Sequence, residues 1–134
     1  MAFVIDASIT TCWLMPDESD ARAIAAYALL DENDPLAPAI WWFEARNVLI
    51  SNERRGRIGG TALLDAYDVL SELSVEIDRE PDETQIFSLA RRHRLTVYDA
   101  AYLDLALRRS APLATLDDAL ASAALVEGVM LVGA

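Results

Sequence analysis

Four times along the chain an apolar run stops at, or just short of, an acidic residue: Phe3-Val4-Ile5-Asp6, Trp41-Trp42-Phe43-Glu44, Leu95-Thr96-Val97-Tyr98-Asp99 and Leu113-Ala114-Thr115-Leu116-Asp117. Buried strands of a parallel sheet read as short apolar runs, and ligands of α/β sheets bind just beyond the carboxyl ends of the strands. Carboxylates placed there converge on one crevice. At the edge of a core they repel one another and lose hydration, and a bound cation or protonation offsets both costs. The pattern points to a hard divalent cation.

The rest of the chain alternates in the way such a sheet requires. Phe3 to Ile5 reads as a strand and Ser8 to Leu14 as a helical turn. After the break at Pro16-Asp17-Glu18-Ser19, a helix runs from about Asp20 to Leu30 with Ser19 as its N-cap. Leu36-Ala37 is a second strand, and Pro38 opens a helix to about Arg55, closed by Gly56, Gly59 and Gly60. Thr61 to Leu73 carries Leu63, Leu64, Tyr67, Leu70 and Leu73 on one face, and Val75 to Ile77 is strand three. Pro81 and Asp82 start a helix ending near His93, and Asp99 to Arg109 is a nearly all-apolar helix that needs burial on most sides. Pro112 to Ala114 is strand four, Asp117 to Leu125 a short helix, and Val129 to Val132, after Gly128, a fifth strand. The expected fold is α/β: a parallel sheet of about five strands with helices on both faces.

A chain of 134 residues with 54% hydrophobic content suits one domain, residues 1–134, around one core. No apolar stretch reaches the roughly 20 residues of a membrane span, and Met1-Ala2-Phe3 lacks the basic start of a secretory signal. The expectation is a soluble, cytoplasmic protein without membrane contact. Cys12, the single cysteine, cannot form an internal disulfide and reads as a small buried side chain.

The formal charge is −11, and all 11 basic residues are arginine. Without lysine there is no Schiff base and no phosphate-loop lysine. The arginines cluster at Arg54, Arg55 and Arg57, at Arg91, Arg92 and Arg94, and at Arg108 and Arg109. Their planar forks suit phosphate contacts, although such runs are commonly solvated helix ends.

Each carboxylate also has a plainer explanation. Asp6, Asp99 and Asp117 stand where helices are expected to start, and aspartate is a favoured N-cap that interacts well with the helix dipole. Glu44 resists that explanation. It lies inside a helix with apolar positions Trp41, Trp42, Ala45, Val48 and Leu49, beside Val48 at the margin of the stripe, so it points toward the crevice. Asp104, one turn before Arg108, reads as a surface ion pair, and His93, flanked by arginines, as a surface residue.

The stretches Val4-Ile5-Asp6-Ala7-Ser8, Glu44-Ala45-Arg46-Asn47-Val48-Leu49, Tyr98-Asp99-Ala100-Ala101-Tyr102-Leu103 and Thr115-Leu116-Asp117 resemble the motifs of PIN-domain ribonucleases, and among these the toxins of the VapC type. The ordered set spans essentially the whole chain. The resemblance implies a PIN-like three-layer fold, an acidic pocket of Asp6, Glu44, Asp99 and Asp117 holding Mg²⁺ or Mn²⁺, and endonucleolytic cleavage of RNA. It also implies that Ser8 and Thr115 orient a ligand or phosphate, and that the protein is a homodimer with a cognate antitoxin. Arg54, Arg55, Arg57, Arg91, Arg92 and Arg94 are then candidates for contacts to the RNA backbone. Asp118 departs from the family pattern, in which a basic or neutral residue commonly follows Asp117, and leaves open which of the two completes the site. Phe43 and Ile50, opposite the buried stripe of the Glu44 helix, suggest contact with another chain.

Two other classes fit less well. A signalling receiver domain needs a lysine near its last strand, and a haloacid-dehalogenase-type phosphatase needs a second aspartate where Ser8 stands. A PIN-fold interaction module without activity is the remaining alternative, against which stands the presence of all four acids. The RNA target is not readable from loops and arginine clusters.

Overall fold

A computed structural model describes residues 1–134. Four strands, β1 (Ala2–Ile5), β2 (Asp34–Pro38), β3 (Glu76–Asp78) and β4 (Leu113–Ala114), form one parallel sheet in the order β3-β2-β1-β4. Consecutive side chains of a strand point to opposite faces. Phe3, Val4 and Ile5 are nevertheless all buried, as are Leu36 and Ala37, so both faces of the sheet are covered. The covering layers come from seven helices: α1 (Ala7–Leu14), α2 (Ala21–Leu29), α3 (Ala39–Arg54), α4 (Gly60–Glu72), α5 (Glu83–His93), α6 (Val97–Arg109) and α7 (Asp118–Val126). One continuous apolar core runs through them. Proline explains the extent of β2: Pro35 and Pro38, which have no N–H to donate, lie toward its two ends, and Leu36 and Ala37 supply its centre.

The parallel sheet with helices on both faces is as expected, with four strands rather than five. The segment read as the fifth strand makes a single bridge, Leu131 to Leu113, with hydrogen bonds from Leu113 N to Met130 O at 2.8 Å and from Val132 N to Leu113 O at 3.0 Å. Gly128 and Gly133, both at positive φ, turn the chain on either side and leave no length for a ladder. At Gly133 a Cβ would stand 3.0 Å from the Cα of Arg22, so the chain end packs on α2 through the missing side chain.

Several local expectations need correction. Asp20, not Ser19, caps α2, accepting from Arg22 N at 2.8 Å. α6 begins two residues before Asp99, because the Thr96 hydroxyl accepts from Asp99 N at 3.0 Å and takes the cap. Trp42 is exposed rather than part of the buried stripe of α3, and stacks edge-on against the exposed Phe43. His93 is not a free surface residue: its ring, 12% exposed, meets Glu127 at 2.6 Å and joins the end of α5 to the end of α7.

Asp104 is the largest departure. Its side chain is fully buried, accepting from Gln85 Nε2 at 2.7 Å, Arg108 Nε at 2.9 Å and Asp82 N at 3.3 Å. Arg108 also bonds Asp78 at 2.6 Å, which holds the Asp78 carboxyl below its ordinary range. The i,i+4 spacing was read correctly as a pair, but α5 packs over that face of α6 and converts a surface pair into an interior brace from β3 to α5 and α6.

Candidate active site

The parallel pairing of β1 with β4, Ile5 opposite Ala114, brings the two chain segments that follow these strands side by side. Asp6 leaves β1 and caps α1, its Oδ1 accepting from Ile9 N at 3.0 Å. Asp117 leaves the β4 segment and caps α7, its Oδ1 accepting from Leu120 N at 2.8 Å. Two hydroxyls lace the junctions together. Ser8 donates to Asp6 Oδ1 at 2.6 Å and accepts from Leu116 N at 2.8 Å. Thr115 donates to Asp6 Oδ2 at 2.5 Å and accepts from Asp117 N at 2.9 Å. Both carboxylate oxygens of the buried Asp6 are therefore held by donors.

Glu44 and Asp99 arrive from helices. Glu44, half-buried on α3, accepts the Tyr102 hydroxyl at 2.5 Å on Oε1. Asp99 lies in the first turn of α6, where the helix dipole favours negative charge. α3 is tied to the Asp6 junction by Trp41, whose indole donates to the Thr10 hydroxyl at 2.8 Å while that hydroxyl donates to the carbonyl of Asp6 at 3.0 Å.

The electrostatics show that these groups share one locality. Burial, and then repulsion from Asp117, push Asp6 above its ordinary carboxylate range, against hydrogen bonds from Ser8, Thr115 and Ile9. Burial also raises Glu44; the Tyr102 bond opposes it, and Asp99 and Asp6 add to it. Asp99 is raised by burial and by Asp117. The repulsions form a closed ring, Asp6 to Asp117 to Asp99 to Glu44 and back to Asp6. All four acids read from the sequence are thus brought together.

They are within electrostatic reach rather than coordination distance, since no three acidic, histidine or cysteine side chains stand close enough to form a ligand shell by themselves. The donor set still fits a hydrated hard cation. It is all oxygen, it carries an excess of negative charge, and Mg²⁺ commonly takes one or two carboxylates directly while keeping several waters. Mg²⁺ or Mn²⁺ would sit among Asp6, Glu44, Asp99 and Asp117. Asp118 is exposed and its charge is felt by Arg22 of α2, whereas the charge of Asp117 is felt by Asp6 and Asp99.

The arginine candidates divide. Arg57 is engaged by Asp17 and Glu18, both at 3.2 Å, and Arg92 by Glu127 at 2.7 Å. Arg54, Arg55, Arg91 and Arg94 are exposed and make no ion pair, which leaves them the freer cations for a phosphate backbone. The largest surface hollow, about 850 Å³, is an open depression along α5 lined by Arg91, Arg92 and Phe87 among others. None of the four carboxylates lines it, and chemistry locates the reactive site better than size does.

Sequence reasoning missed Tyr102. It passed as one more apolar residue of a buried helix. The available signal was its position three residues after Asp99, which places both on the same side of α6.

Comparison with known proteins identifies the family and agrees with the fold. Residues 3–125 match the PIN domain family. Ribonuclease VapC3 of Pyrobaculum aerophilum is 33% identical over 125 residues, covering 90% of this chain and 93% of its own. Among solved structures, PAE2754 from P. aerophilum superposes with a TM-score of 0.69 at 22% identity over 92% of this chain and 84% of its own. FitAcB from Neisseria gonorrhoeae gives 0.67 at 20% identity, covering 98% and 96%. Mycobacterium tuberculosis VapC20, a sarcin-ricin-loop-cleaving toxin, gives 0.59 at 14% identity, covering 90% and 94%. Match, identity and shared architecture lead to one conclusion: this chain belongs to the PIN-domain family and is of the VapC type.

Proposed function

We propose that the protein, acting as one PIN-like unit over residues 1–134, is a divalent-metal-dependent endoribonuclease and the toxin of a toxin–antitoxin pair. The observation that carries this reading is the ring of four mutually repelling carboxylates at the carboxyl edge of the sheet, three of them raised in pKa. A protein keeps such a costly arrangement for a cation to occupy. A relative named a ribonuclease, matching over nine-tenths of the chain, supplies the substrate class.

Bound Mg²⁺ or Mn²⁺ supplies a lowered pKa for an attacking water and neutralises charge on the scissile phosphate and leaving oxygen. The chain's own contribution is positioning. Asp6, with both oxygens held by Ser8, Thr115 and Ile9 N, is the fixed member of the ring. Asp99, in the first turn of α6 with the Thr96 hydroxyl beside it, would serve with Asp6 as a direct ligand. Glu44 and Asp117 each keep one oxygen free to hold water. Ser8 and Thr115 hold Asp6 and Asp117 rather than reach for phosphate themselves.

The partners follow from the surface. Trp42 and Phe43 are exposed side by side on α3, with Ile50 two turns further along, and Arg46 stacks on Trp42 at 4.2 Å. An exposed apolar strip on a helix of the core fits a second copy, and the protein acts as a homodimer. The acidic ring fits an arginine or lysine offered by a cognate antitoxin. No helix of the chain is long and apolar enough to cross a membrane, and the place of action proposed is the cytoplasm.

The deciding experiment incubates purified protein with total cellular RNA, with Mg²⁺, with Mn²⁺ and with EDTA, and maps new 5′ ends. Discrete ends that require metal and vanish in Asp6→Asn are expected. RNA left intact under all conditions by a folded protein would favour the interaction module instead.

A further inference from the structure

We propose that Tyr102 is the positioning residue that aims Glu44 into the carboxylate ring. This rests on the metal-dependent reading above and extends it by one residue. Glu44 reaches the ring on three rotatable torsions from α3, and Asp6 and Asp99 both repel it. Left to itself, a half-buried glutamate in that field turns outward to water. A single group prevents this: the Tyr102 hydroxyl is the one hydrogen-bond donor that Glu44 has, at 2.5 Å on Oε1.

Tyr102 suits the task because it cannot move. Its ring is 1% exposed, packed within the most buried stretch of α6 between Ala100 and Ala106. Burial and the neighbouring carboxylates hold its hydroxyl protonated, with a pKa well above the ordinary phenol value. The bond engages Oε1 and leaves Oε2 without a protein donor. The backbone of α3 is registered separately, through Trp41, Thr10 and the Asp6 carbonyl. Removing the hydroxyl therefore frees the Glu44 side chain without releasing the helix that carries it.

The test is a Mn²⁺ titration by electron paramagnetic resonance on the full chain, with four proteins: unsubstituted, Tyr102→Phe, Glu44→Ala and the double variant. Tyr102→Phe should weaken Mn²⁺ binding about tenfold, the low end for partners that orient a metal ligand, with the melting temperature in EDTA little changed. In the Glu44→Ala background the same change should have no further effect. Undiminished Mn²⁺ affinity in folded Tyr102→Phe overturns the assignment, and so does an equal loss in both backgrounds. Should Tyr102→Phe not fold, 3-fluorotyrosine at position 102 gives a second readout. Its ¹⁹F resonance should move when Mg²⁺ is added, and a fixed resonance in a protein that binds Mn²⁺ overturns the assignment. An unsubstituted protein that binds no Mn²⁺ removes the metal reading itself, and this role with it.

Discussion

Thr115 donates its hydroxyl proton to Asp6 Oδ2 across 109 positions of sequence, and Thr115 Oγ1 itself accepts from Asp117 N. One side chain thus fixes the rotamer of one acidic residue and the backbone of another. Thr115→Val keeps the shape and removes both bonds. Leaving buried polar groups unmatched costs about 1–3 kcal/mol, so the melting temperature should fall and RNA cleavage should fall with it. Denaturant unfolding and a cleavage assay on the same preparation check this. Unchanged cleavage in a destabilised variant would confine Thr115 to the fold.

Asp6→Asn should abolish cleavage while leaving the fold. Asparagine caps a helix about as well as aspartate, so the bond from Ile9 N survives, and relief of the repulsion from Asp117 offsets what is lost at Oδ2. Without divalent cation the stability change should stay within about 1 kcal/mol, a few degrees in melting temperature. Full cleavage by the folded variant, or a collapse of its stability, would each sink the idea that Asp6 is there for a cation.

The pH dependence has a definite sign. Asp6, Glu44 and Asp99 are raised above their ordinary values, so at these positions the folded protein binds protons more tightly than the unfolded chain. Their contribution favours folding at low pH and is lost as pH rises from about 4 through the raised values. Asp78, held low by Arg108, acts oppositely: its stabilisation is complete above the ordinary range and fades only below it. In EDTA, the melting temperature of the unsubstituted protein relative to Asp6→Asn should therefore decline as pH rises above the ordinary carboxylate range. Mg²⁺ at neutral pH should reverse the decline. Calorimetry across that range decides it, and a flat difference would show that the carboxylates are not coupled.

Asp104→Ala should damage the protein without touching the chemistry of the ring. It takes the acceptor from Gln85 Nε2 and leaves Arg108 with Asp78 alone, and breaking one side of a buried ion pair costs about 3–5 kcal/mol. Chemical denaturation measures it. A loss below 1 kcal/mol would mean that water replaces the brace.

Phe43→Asp should leave the fold intact, because the ring is exposed on α3, and should shift the protein from dimer to monomer. Light scattering at micromolar concentration reads this directly. A monomeric unsubstituted protein would remove the dimer claim.

What the sequence disclosed follows a physical division. Asp6 and Asp117 follow β1 and β4, where parallel strands leave a local signature, an apolar run with an acid beyond its end, whereas the apolar runs before Glu44 and Asp99 lie in or against α3 and α6 and are not strands. Helix N-caps at Asp6 and Asp117 were legible for the same local reason. Asp104, His93 and Trp42 were misjudged because their burial depends on which helix lies over which, and spacing along one helix does not carry that. Tyr102 was passed over because a phenol in an apolar helix looks like packing until its hydroxyl has a partner. The segment Val129 to Val132 has strand composition, but the glycines beside it bend the chain before a second rung can form.

The interlock of β1 with β4 also sets when during synthesis the ring can exist. Asp6 emerges from the ribosome 109 positions ahead of Thr115, which holds it, and Asp117, which faces it, comes later still. A nascent chain, or one cut short before position 115, carries Asp6 without its clasp. The clasp on Asp6 forms only once synthesis has passed Thr115, which makes the ring a late product of chain growth rather than an early one.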